Sequence, residues 1–327
     1  MMSTVGSIVH RVNLSSFVLA LIIMSSDYLV VNAEEWSYEN TDTGPKHWKE
    51  HYPDCGGLMQ SPINIESDKV LYDQNLNYFD LSSYSITRGV NMTLVNKGHT
   101  AEVQYTGEDM ILKGGNLPDD YKLVQFHFHW GEDDIMGSEH LLNDERFPME
   151  MHLVHYQSKL FNFSNALSHP FGLAVLGFLF EISAENNTHL DSLLQHFSKI
   201  EEPDIKAEIE PFPPTRLLSG NKDRLDFYRY FGSLTTPPCY ESVIWSLSTE
   251  FIPISVPQMT LFRTLHNEKN EHLVNGYRPV QALNHRLVTT TRRPTMRCGV
   301  RSDHMETSLS FILLIDLAIE LVMSQYM

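Results

Sequence analysis

The sequence is short of positive charge and of cysteine. Its 327 residues carry 24 Lys and Arg against 41 Asp and Glu, a formal net charge of −17. Such an acidic chain lacks the basic face that nucleic-acid binding requires. It also has no internal repeat and no His-Glu-x-x-His motif, which weakens a zinc hydrolase of the class built on that motif. A hydrophobic content of 42% suits a globular core in one large domain or two small ones.

The first 33 residues have the pattern of a secretory signal peptide. His10 and Arg11 precede an apolar run from Phe17 to Met24, and Val-Asn-Ala follows at 31–33. This order of charge, apolar run and small residues is typical of a cleaved signal. A short buried N-terminal helix is the alternative interpretation.

A secreted protein is expected to pair its cysteines and to carry glycosylation motifs on its surface. The three cysteines are Cys55, Cys239 and Cys298. One pair and one leftover residue is the simplest arrangement. After the predicted signal, Asn-x-Ser/Thr motifs begin at Asn91, Asn162 and Asn186. Each motif also arises by chance, so each is weak evidence taken alone.

The C-terminal region divides into a basic linker and a short apolar tail. The linker, residues 289–308, contains four arginines, and the tail covers residues 309–327. Asp316 and Glu320 interrupt the tail, which is too short and too charged for a membrane span. A polar spacer before a terminal apolar tail is typical of a glycolipid (GPI) anchor signal, cleaved here around Cys298 to Asp303. A frayed amphipathic helix explains the tail equally well.

Alternating and apolar runs predict a domain dominated by strands. Short alternating runs separated by turn residues predict several strands between 71 and 112. Apolar runs predict buried strands at 171–182 and 243–251. Helical spacing predicts small helices at 190–200 and 259–266.

The strongest functional signal is the segment Gln-Phe-His-Phe-His-Trp at 125–130. Polar and aromatic residues alternate, which predicts a β-strand. His127 and His129 then share one face with Gln125, while the aromatic side chains point to a core. Two imidazoles at i and i+2 can bind one metal ion, although such a pair is more often an ordinary feature of a half-buried strand.

A second strand, predicted at 149–156, supports the metal site. Glu150, His152 and Val154 share one face of it, whereas His155 faces the other way and is predicted to be a core histidine. A third histidine beside a carboxylate suggests a ligand and its supporting acceptor. Three histidines leave one open position on a tetrahedral zinc ion, which is typical of a catalytic site.

Further motifs accompany these two strands. They are Gln-Ser-Pro-Ile-Asn-Ile at 60–65, Asn-Lys-Gly-His at 96–99, Gly-Ser-Glu-His at 137–140, Ser-Leu-Thr-Thr-Pro-Pro at 233–238 and Arg-Pro-Val-Gln at 278–281. In this order and spacing the chain resembles the α-class carbonic anhydrases, of the secreted or membrane-anchored type, from Trp36 to Val288. The resemblance implies a mainly β (α+β) catalytic domain at 34–288. Its fold would be a large, mostly antiparallel twisted sheet with small peripheral helices.

The resemblance implies the reversible, zinc-dependent hydration of carbon dioxide to bicarbonate and a proton, with zinc hydroxide as the nucleophile. The zinc ligands would be His127, His129 and His152. The acceptors that orient these rings would be Gln125 for His127, Glu150 for His152 and the carbonyl of Gly276 for His129. Most family members carry asparagine instead of Gly276, but glycine supplies the same carbonyl.

The remaining roles also come from the resemblance. Thr235 would accept the hydrogen of the hydroxide and donate its own to Glu139, and Thr236 would back the bound water. The alternative for Thr235 is an ordinary turn threonine, since Pro237 and Pro238 follow it. The alternative for Glu139 is a solvated loop carboxylate. An apolar wall for carbon dioxide would be formed by Val154, Val175, Leu234 and Trp245.

His99 matches the position of the proton shuttle, and Tyr38 would order the connecting waters. A histidine pKa near 6.5 suits proton transfer close to neutral pH. An exposed turn histidine is the alternative. Lys97 and Glu102 replace amide side chains of fast family members; the lysine would depress the pKa of His99 and the glutamate would raise it. The sequence therefore predicts a working shuttle and leaves its speed open.

The resemblance also proposes a disulfide between Cys55 and Cys239, with two reduced buried cysteines as the alternative. The predicted signal peptide and tail place the protein outside the cell, secreted or attached to the plasma membrane. The competing function is a catalytically weak binding or adhesion domain on the same fold. Such relatives typically lack one or more zinc histidines, and all three are present here.

Overall fold

The computed structural model describes residues 36–39 and 41–293 of the chain. The predicted signal peptide at 1–33, Cys298, the linker beyond Arg293 and the tail at 309–327 lie outside the described residues. Within those residues, no helix has the length and apolar character needed to cross a bilayer.

Strands form most of the regular structure, as the alternating sequence runs predict. The strands are β1 (Asn64–Ile65), β2 (Leu71–Tyr72), β3 (Phe79–Asp80), β4 (Val90–Asn96), β5 (Ala101–Gly107), β6 (Ile111–Gly114), β7 (Tyr121–Trp130), β8 (Leu141–Leu142), β9 (Met149–Gln157), β10 (Leu173–Ser183), β11 (Lys206–Ile209), β12 (Phe227–Gly232), β13 (Val243–Ser248), β14 (Ile252–Ser255) and β15 (Thr289–Thr290).

The helices are short. The α-helices are α1 (Trp48–His51), α2 (Phe163–Ala166), α3 (Asp191–Leu194) and α4 (Val256–Phe262). Single turns of 3₁₀ helix occur at Pro53–Gly56, Ser82–Ser85, Ser158–Leu160, Thr188–Leu190, Phe197–Lys199, Pro214–Leu217 and Lys222–Arg224.

One sheet of 13 strands organises the domain, in the order β11-β4-β5-β7-β9-β10-β13-β12-β15-β2. Strand β14 also pairs with β10, and β6 links β3 to β7. Most neighbours are antiparallel; β13 and β14 run parallel to β10, and β2 runs parallel to β15. Strands β1 and β8 form a separate parallel pair. The prediction of a mainly β protein with a mostly antiparallel sheet is confirmed.

The two faces of the central strands have different surroundings, as their alternation requires. Phe126, Phe128 and Trp130 of β7 are buried in the larger core. There Phe262 of α4 packs against Phe128 and Trp130, with ring centroids 5.2 and 5.4 Å apart. The opposite face of β7 carries the histidines, so one strand joins the core to the candidate site.

The predicted helices are partly wrong in their bounds. The run at 190–200 is not one helix, because a 3₁₀ turn, α3 and another 3₁₀ turn share its apolar face. Leu190, Leu193 and Phe197 are all buried, so helical spacing described the packing correctly but not the backbone. The other helix covers Val256–Phe262. It starts at Val256 because Ser255 caps it in a capping box with the side chain at the third helical position.

The predicted disulfide is confirmed. Cys55 and Cys239 are bonded, with their Cα atoms 4.8 Å apart and 184 residues between them in sequence. Both cysteines are buried against Trp48 of α1. The bond therefore ties the irregular N-terminal cover to the loop that carries Thr235.

Candidate metal centre

Three histidines meet on two adjacent strands. In the β7–β9 ladder His127 lies opposite His152, and His129 lies opposite Glu150. The ring centroids of the three histidines are 4.8 to 5.1 Å apart. One nitrogen from each ring lies within 4.8 Å of the other two, so the three rings could hold one metal ion.

Each ring also uses its other nitrogen in a hydrogen bond. These bonds join His127 Nδ1 to Gln125 Oε1 (2.9 Å), His129 Nδ1 to Gly276 O (2.7 Å) and His152 Nε2 to Glu150 Oε1 (2.7 Å). Because all three partners are oxygen acceptors, the bonded nitrogens carry the protons. Lone pairs are thus left on Nε2 of His127, Nε2 of His129 and Nδ1 of His152. The structure forms all three predicted hydrogen bonds.

Two buried polar atoms at this point have no hydrogen-bond partner in the part of the chain that the structure describes. They are Nε2 of His129 and Oε2 of Glu139, which lie 3.5 Å apart. Buried polar atoms without partners are costly and rare in native structures. A metal ion bound by the histidines would satisfy the orphaned imidazole nitrogen. The residues present therefore fit a cation at this position.

Burial keeps the candidate ligands in the form that a metal needs. It lowers the pKa of His127 well below its ordinary value, and the neighbouring His129 lowers it further. Burial also lowers the pKa of His152, partly opposed by Glu150. Both rings are neutral at pH 7, and only a neutral imidazole can donate a lone pair to a metal.

Glu150 is the fully buried carboxylate behind His152. Its Oε2 accepts the backbone N–H groups of Glu139 (2.9 Å) and His140 (2.8 Å), and its Oε1 accepts His140 Nδ1 at 2.6 Å. Burial alone would raise the pKa of Glu150, but His140 and His152 outweigh it and hold the pKa well below its ordinary value. An ionised Glu150 can therefore orient His152.

His140, Glu150 and His152 also lie close enough together to share an ion. Both histidines, however, already direct a nitrogen at Oε1 of Glu150, and Nε2 of His140 bonds to Tyr230 Oη at 2.7 Å. We therefore assign this group to orientation of His152. No role was predicted for His140 from the sequence, although it stands in the Gly-Ser-Glu-His motif at 137–140.

Arg278 fixes Glu139 from the opposite side. Its backbone N–H donates to Oε1 of Glu139 at 2.9 Å. Its guanidinium, buried to 2% exposure, donates to Gln60 Oε1, to Ser61 O and to Cys55 O at 2.8 to 3.0 Å. Burial lowers the pKa of Arg278 to about 10, so it remains charged at neutral pH. The sequence motif containing Arg278 was noted, but its role was missed because its partners lie in distant segments.

Thr235 is buried in the loop between β12 and β13. Cys239 N–H donates to Thr236 O, and Leu234 N–H donates to Tyr240 O, at 2.9 and 3.0 Å, which closes the loop. The predicted hydrogen bond from Thr235 to Glu139 is not formed among the described residues, since Oε2 of Glu139 has no partner. The role of Thr235 stays a prediction.

The predicted apolar wall adjoins the histidines. Val154 of β9, Val175 of β10 and Trp245 of β13 occupy one row across three neighbouring strands. The ring of Trp245 lies 4.8 Å from the ring of His152, centroid to centroid. Leu234 is half-buried and packs against the same cluster. The structure thus brings the four predicted wall residues together.

Comparison with known proteins agrees with this geometry. The model of the eukaryotic-type carbonic anhydrase family matches residues 43–292. The chain belongs to this family. Carbonic anhydrase 6 of Bos taurus is 37% identical over 268 residues, covering 80% of this chain and 82% of its own. Carbonic anhydrase 7 of Homo sapiens is 37% identical over 265 residues, covering 79% and 97%. Carbonic anhydrase 6 of Homo sapiens is 34% identical over 278 residues, covering 82% and 88%.

Membership of the carbonic anhydrase family confirms the prediction of an enzyme, one of the lyase class. It also gives the adhesion-domain alternative no support. All three histidines, Glu139 and Thr235 are present, and the histidines converge on one point.

His99 lies in the turn between β4 and β5, half-buried, with its ring 4.9 Å from the ring of Trp36. Burial, together with the smaller effects of His129 and Lys97, lowers its pKa to about 4. The depression by Lys97 agrees with the prediction. The net shift is downward, so Glu102 does not offset it as expected. His99 is therefore neutral at pH 7, but it accepts a proton less readily than an ordinary histidine.

Gly276 connects the metal centre to the His99 turn. Its carbonyl accepts His129 Nδ1, as described above, and a Cβ added at Gly276 would lie only 2.9 Å from the carbonyl oxygen of His99. The ring of Tyr38 would lie 3.7 Å from the same Cβ, and the buried Tyr38 hydroxyl has no hydrogen-bond partner among the described residues. Because Gly276 has no side chain, the His129 ring, the His99 carbonyl and the Tyr38 ring can all lie close to it.

The three predicted glycosylation motifs all expose their asparagines. Asn91 lies on β4. Asn162 caps α2, accepting Asn165 N–H at 2.9 Å. Asn186 follows β10, and its Oδ1 accepts a hydrogen bond from Ser255 at 2.6 Å. Their accessibility is compatible with modification.

Proposed function

We propose that this chain is a zinc enzyme that catalyses the reversible hydration of carbon dioxide to bicarbonate and a proton. The observation that carries the proposal is the convergence of three imidazoles, each with one nitrogen held by an oxygen acceptor. His127, His129 and His152 would hold the ion. In carbonic anhydrases a bound zinc lowers the pKa of a water molecule to about 7 and so supplies a nucleophile at neutral pH.

The protein's own groups would orient the reaction. Gln125, Glu150 and the Gly276 carbonyl fix the ring tautomers, and such partners are generally needed for metal affinity. Glu139 offers an unpartnered oxygen next to the site, and we propose that Thr235 donates to it during turnover. Thr236 would back the attacking water.

Carbon dioxide is apolar and would bind against the wall of Val154, Val175, Leu234 and Trp245. That wall continues the buried cluster on this face of the sheet. It offers no charged group to compete for the substrate. Placing an uncharged reactant beside the nucleophile lowers the barrier by proximity, without tight binding.

We propose His99 as the proton shuttle, with Tyr38 ordering the connecting waters, and the structure supports a slow shuttle. With a pKa of about 4, the His99 imidazole takes up a proton at pH 7 only at a cost in free energy. That cost is about 4 kcal/mol. External buffer is therefore expected to carry much of the proton flux.

We propose that the protein acts outside the cell, secreted or held at the plasma membrane. The disulfide supports this location, because disulfides persist in oxidising compartments. The proposed organisation is a signal peptide at 1–33, a catalytic domain predicted at 34–288, a linker that ends at 308 and an anchor signal at 309–327. Because Thr289 and Thr290 form β15 and pair with β12, the catalytic domain extends at least to residue 290. Release of the protein from intact cells by a phospholipase that cleaves glycolipid anchors would test the anchor.

The decisive experiment measures zinc and carbon dioxide hydration in the same samples. The wild-type chain is expected to hold one zinc ion per molecule and to be active. His127→Ala should lose both, whereas His189→Ala, which changes an exposed histidine away from the site, should keep both. Circular dichroism would verify that both variants fold. An active, metal-free His127→Ala protein would refute the mechanism, and a zinc-free, inactive wild type would favour a binding domain.

A further inference from the structure

A groove lies between α3 and α4, away from the metal centre. It has a volume of about 420 Å³, within the range of about 300–1,000 Å³ typical of small-molecule clefts. Leu194, Pro257 and Leu261 supply its apolar surface, and Asp191 and Gln195 supply polar groups. Leu261 is 39% exposed, so part of this apolar surface faces water in the bare chain.

Asn186 lines the same groove, and its side chain is held in place. Its Oδ1 accepts a hydrogen bond from Ser255 Oγ at 2.6 Å. Ser255 is the N-cap residue of α4, so the amide of Asn186 is attached to the first turn of that helix. Nδ2 of Asn186, the atom to which an N-linked glycan is joined, makes no hydrogen bond among the described residues.

The neighbouring Asn187 shows the contrast. Its Nδ2 donates to Pro253 O at 2.9 Å, and its Oδ1 accepts His189 N–H at 3.0 Å. Both ends of that amide are used by the protein. Asn186 begins the motif Asn-Asn-Thr, and the free end of its amide borders the groove.

We propose that Asn186 carries an N-linked glycan whose first N-acetylglucosamine lies in the groove between α3 and α4. The inference rests on the secretory part of the proposed function. In the attachment step a bond forms between Nδ2 and C1 of the sugar. The bond from C1 to the pyrophosphate of a lipid-linked oligosaccharide breaks, and one amide proton is lost. The apolar face of the sugar ring would cover Pro257 and Leu261, which removes apolar surface from water.

The other two motifs provide internal comparisons. Asn91 and Asn162 do not line this groove. Glycans there would project from β4 and from the start of α2, without contact to α4. Only the glycan at Asn186 is therefore expected to protect α4 and to raise the melting temperature.

The test uses the full chain secreted by mammalian cells that make high-mannose glycans. Thr188→Ala abolishes the motif but leaves Asn186 and its bond to Ser255 unchanged. Thr188→Ser keeps the motif and controls for the lost methyl group. Ser164→Ala removes the motif at Asn162 as the matched control. Glycopeptide mass spectrometry would report occupancy, and hydrogen exchange would report the protection of residues 256–262.

Thr188→Ala is expected to speed exchange in α4 several-fold and to lower the melting temperature by about 2–4 °C, a shift expected for loss of one modest contact in a domain of this size. Thr188→Ser and Ser164→Ala should match the wild type. Trimming the glycans to a single N-acetylglucosamine should keep the protection, because the first sugar occupies the groove.

Three results would overturn the inference. An occupied Asn186 with unchanged exchange in Thr188→Ala would refute the seated sugar and leave secretion intact. A protein that is glycosylated at Asn91 or Asn162 but not at Asn186 would also refute the seated sugar and leave secretion intact. If the protein secreted by these cells carries no glycan at any of the three motifs, both this inference and the proposed location are overturned.

Discussion

Removal of the disulfide should destabilise the protein without altering the folded site. The Cys55–Cys239 bond spans 184 residues of sequence. In the chain-entropy model a closed loop of that length contributes about 5 kcal/mol by restricting the unfolded state. Two hydrogen bonds would still hold the segments in the folded state, from Arg278 to Cys55 O (3.0 Å) and from Gln60 to Cys239 O (3.2 Å). The loss should therefore fall on stability and leave turnover per folded molecule unchanged.

The assay is urea unfolding of the double variant Cys55→Ala/Cys239→Ala, followed by tryptophan fluorescence. With a slope near the upper end of the usual 1–3 kcal/mol per molar urea, the midpoint should fall by about 2 M. Cys298→Ala, which keeps the disulfide, should unfold with the wild type. A double variant within about 1 kcal/mol of the wild type would refute the loop-entropy reasoning, and one that is stable but inactive would show that the bond positions the site.

Three further outcomes follow from the site and the core. Turnover of the wild type should rise with imidazole buffer, because proton transfer to His99 is uphill. His99→Ala should lose activity chiefly in weak buffer, where no external base replaces the shuttle. Stopped-flow rates that do not depend on buffer concentration would contradict both expectations. Gly276→Ala should keep zinc, since the carbonyl remains. It should lower the unfolding free energy by about 1–3 kcal/mol, because the new methyl group crowds His99. Zinc analysis and urea unfolding measure the two effects, and an unchanged unfolding free energy would refute the steric argument. His155 is buried against Tyr84 and Ala174 O, and burial lowers its pKa to about 4. Between pH 6.5 and 4 this histidine, with an ordinary pKa near 6.5, is protonated in the unfolded chain but not in the folded one. The folded state should therefore lose up to about 3 kcal/mol of stability as the pH falls from 6.5 to 4. His155→Phe should reduce the pH slope of stability in that window by about one proton, and an equal slope would count against it.

The metal centre could be predicted because its residues follow the strand period. His127 and His129 repeat at i and i+2, and the face shared by Glu150 and His152 obeys the same rule, so alternation alone set their orientations. His155 was assigned to the core on the same ground, and the structure agrees: it is fully buried.

Helix boundaries and long-range contacts were harder to predict. The start of α4 depends on Ser255 and on the glutamine three residues later, a capping box that helical spacing does not register. The partners of Arg278 are 217 to 223 residues away in sequence. No local pattern encodes such a distance, so only the folded chain reveals that Arg278 positions Glu139.

The same arginine has a consequence for biosynthesis. Glu139 is held by the amide of Arg278, and the Arg278 side chain reaches back to Gln60 and Cys55 near the beginning of the domain. A ribosome-bound chain cannot complete this arrangement until the segment around Arg278 has emerged. Catalytic activity should therefore appear late in synthesis and in a single step. A partly synthesised chain is expected to be inactive.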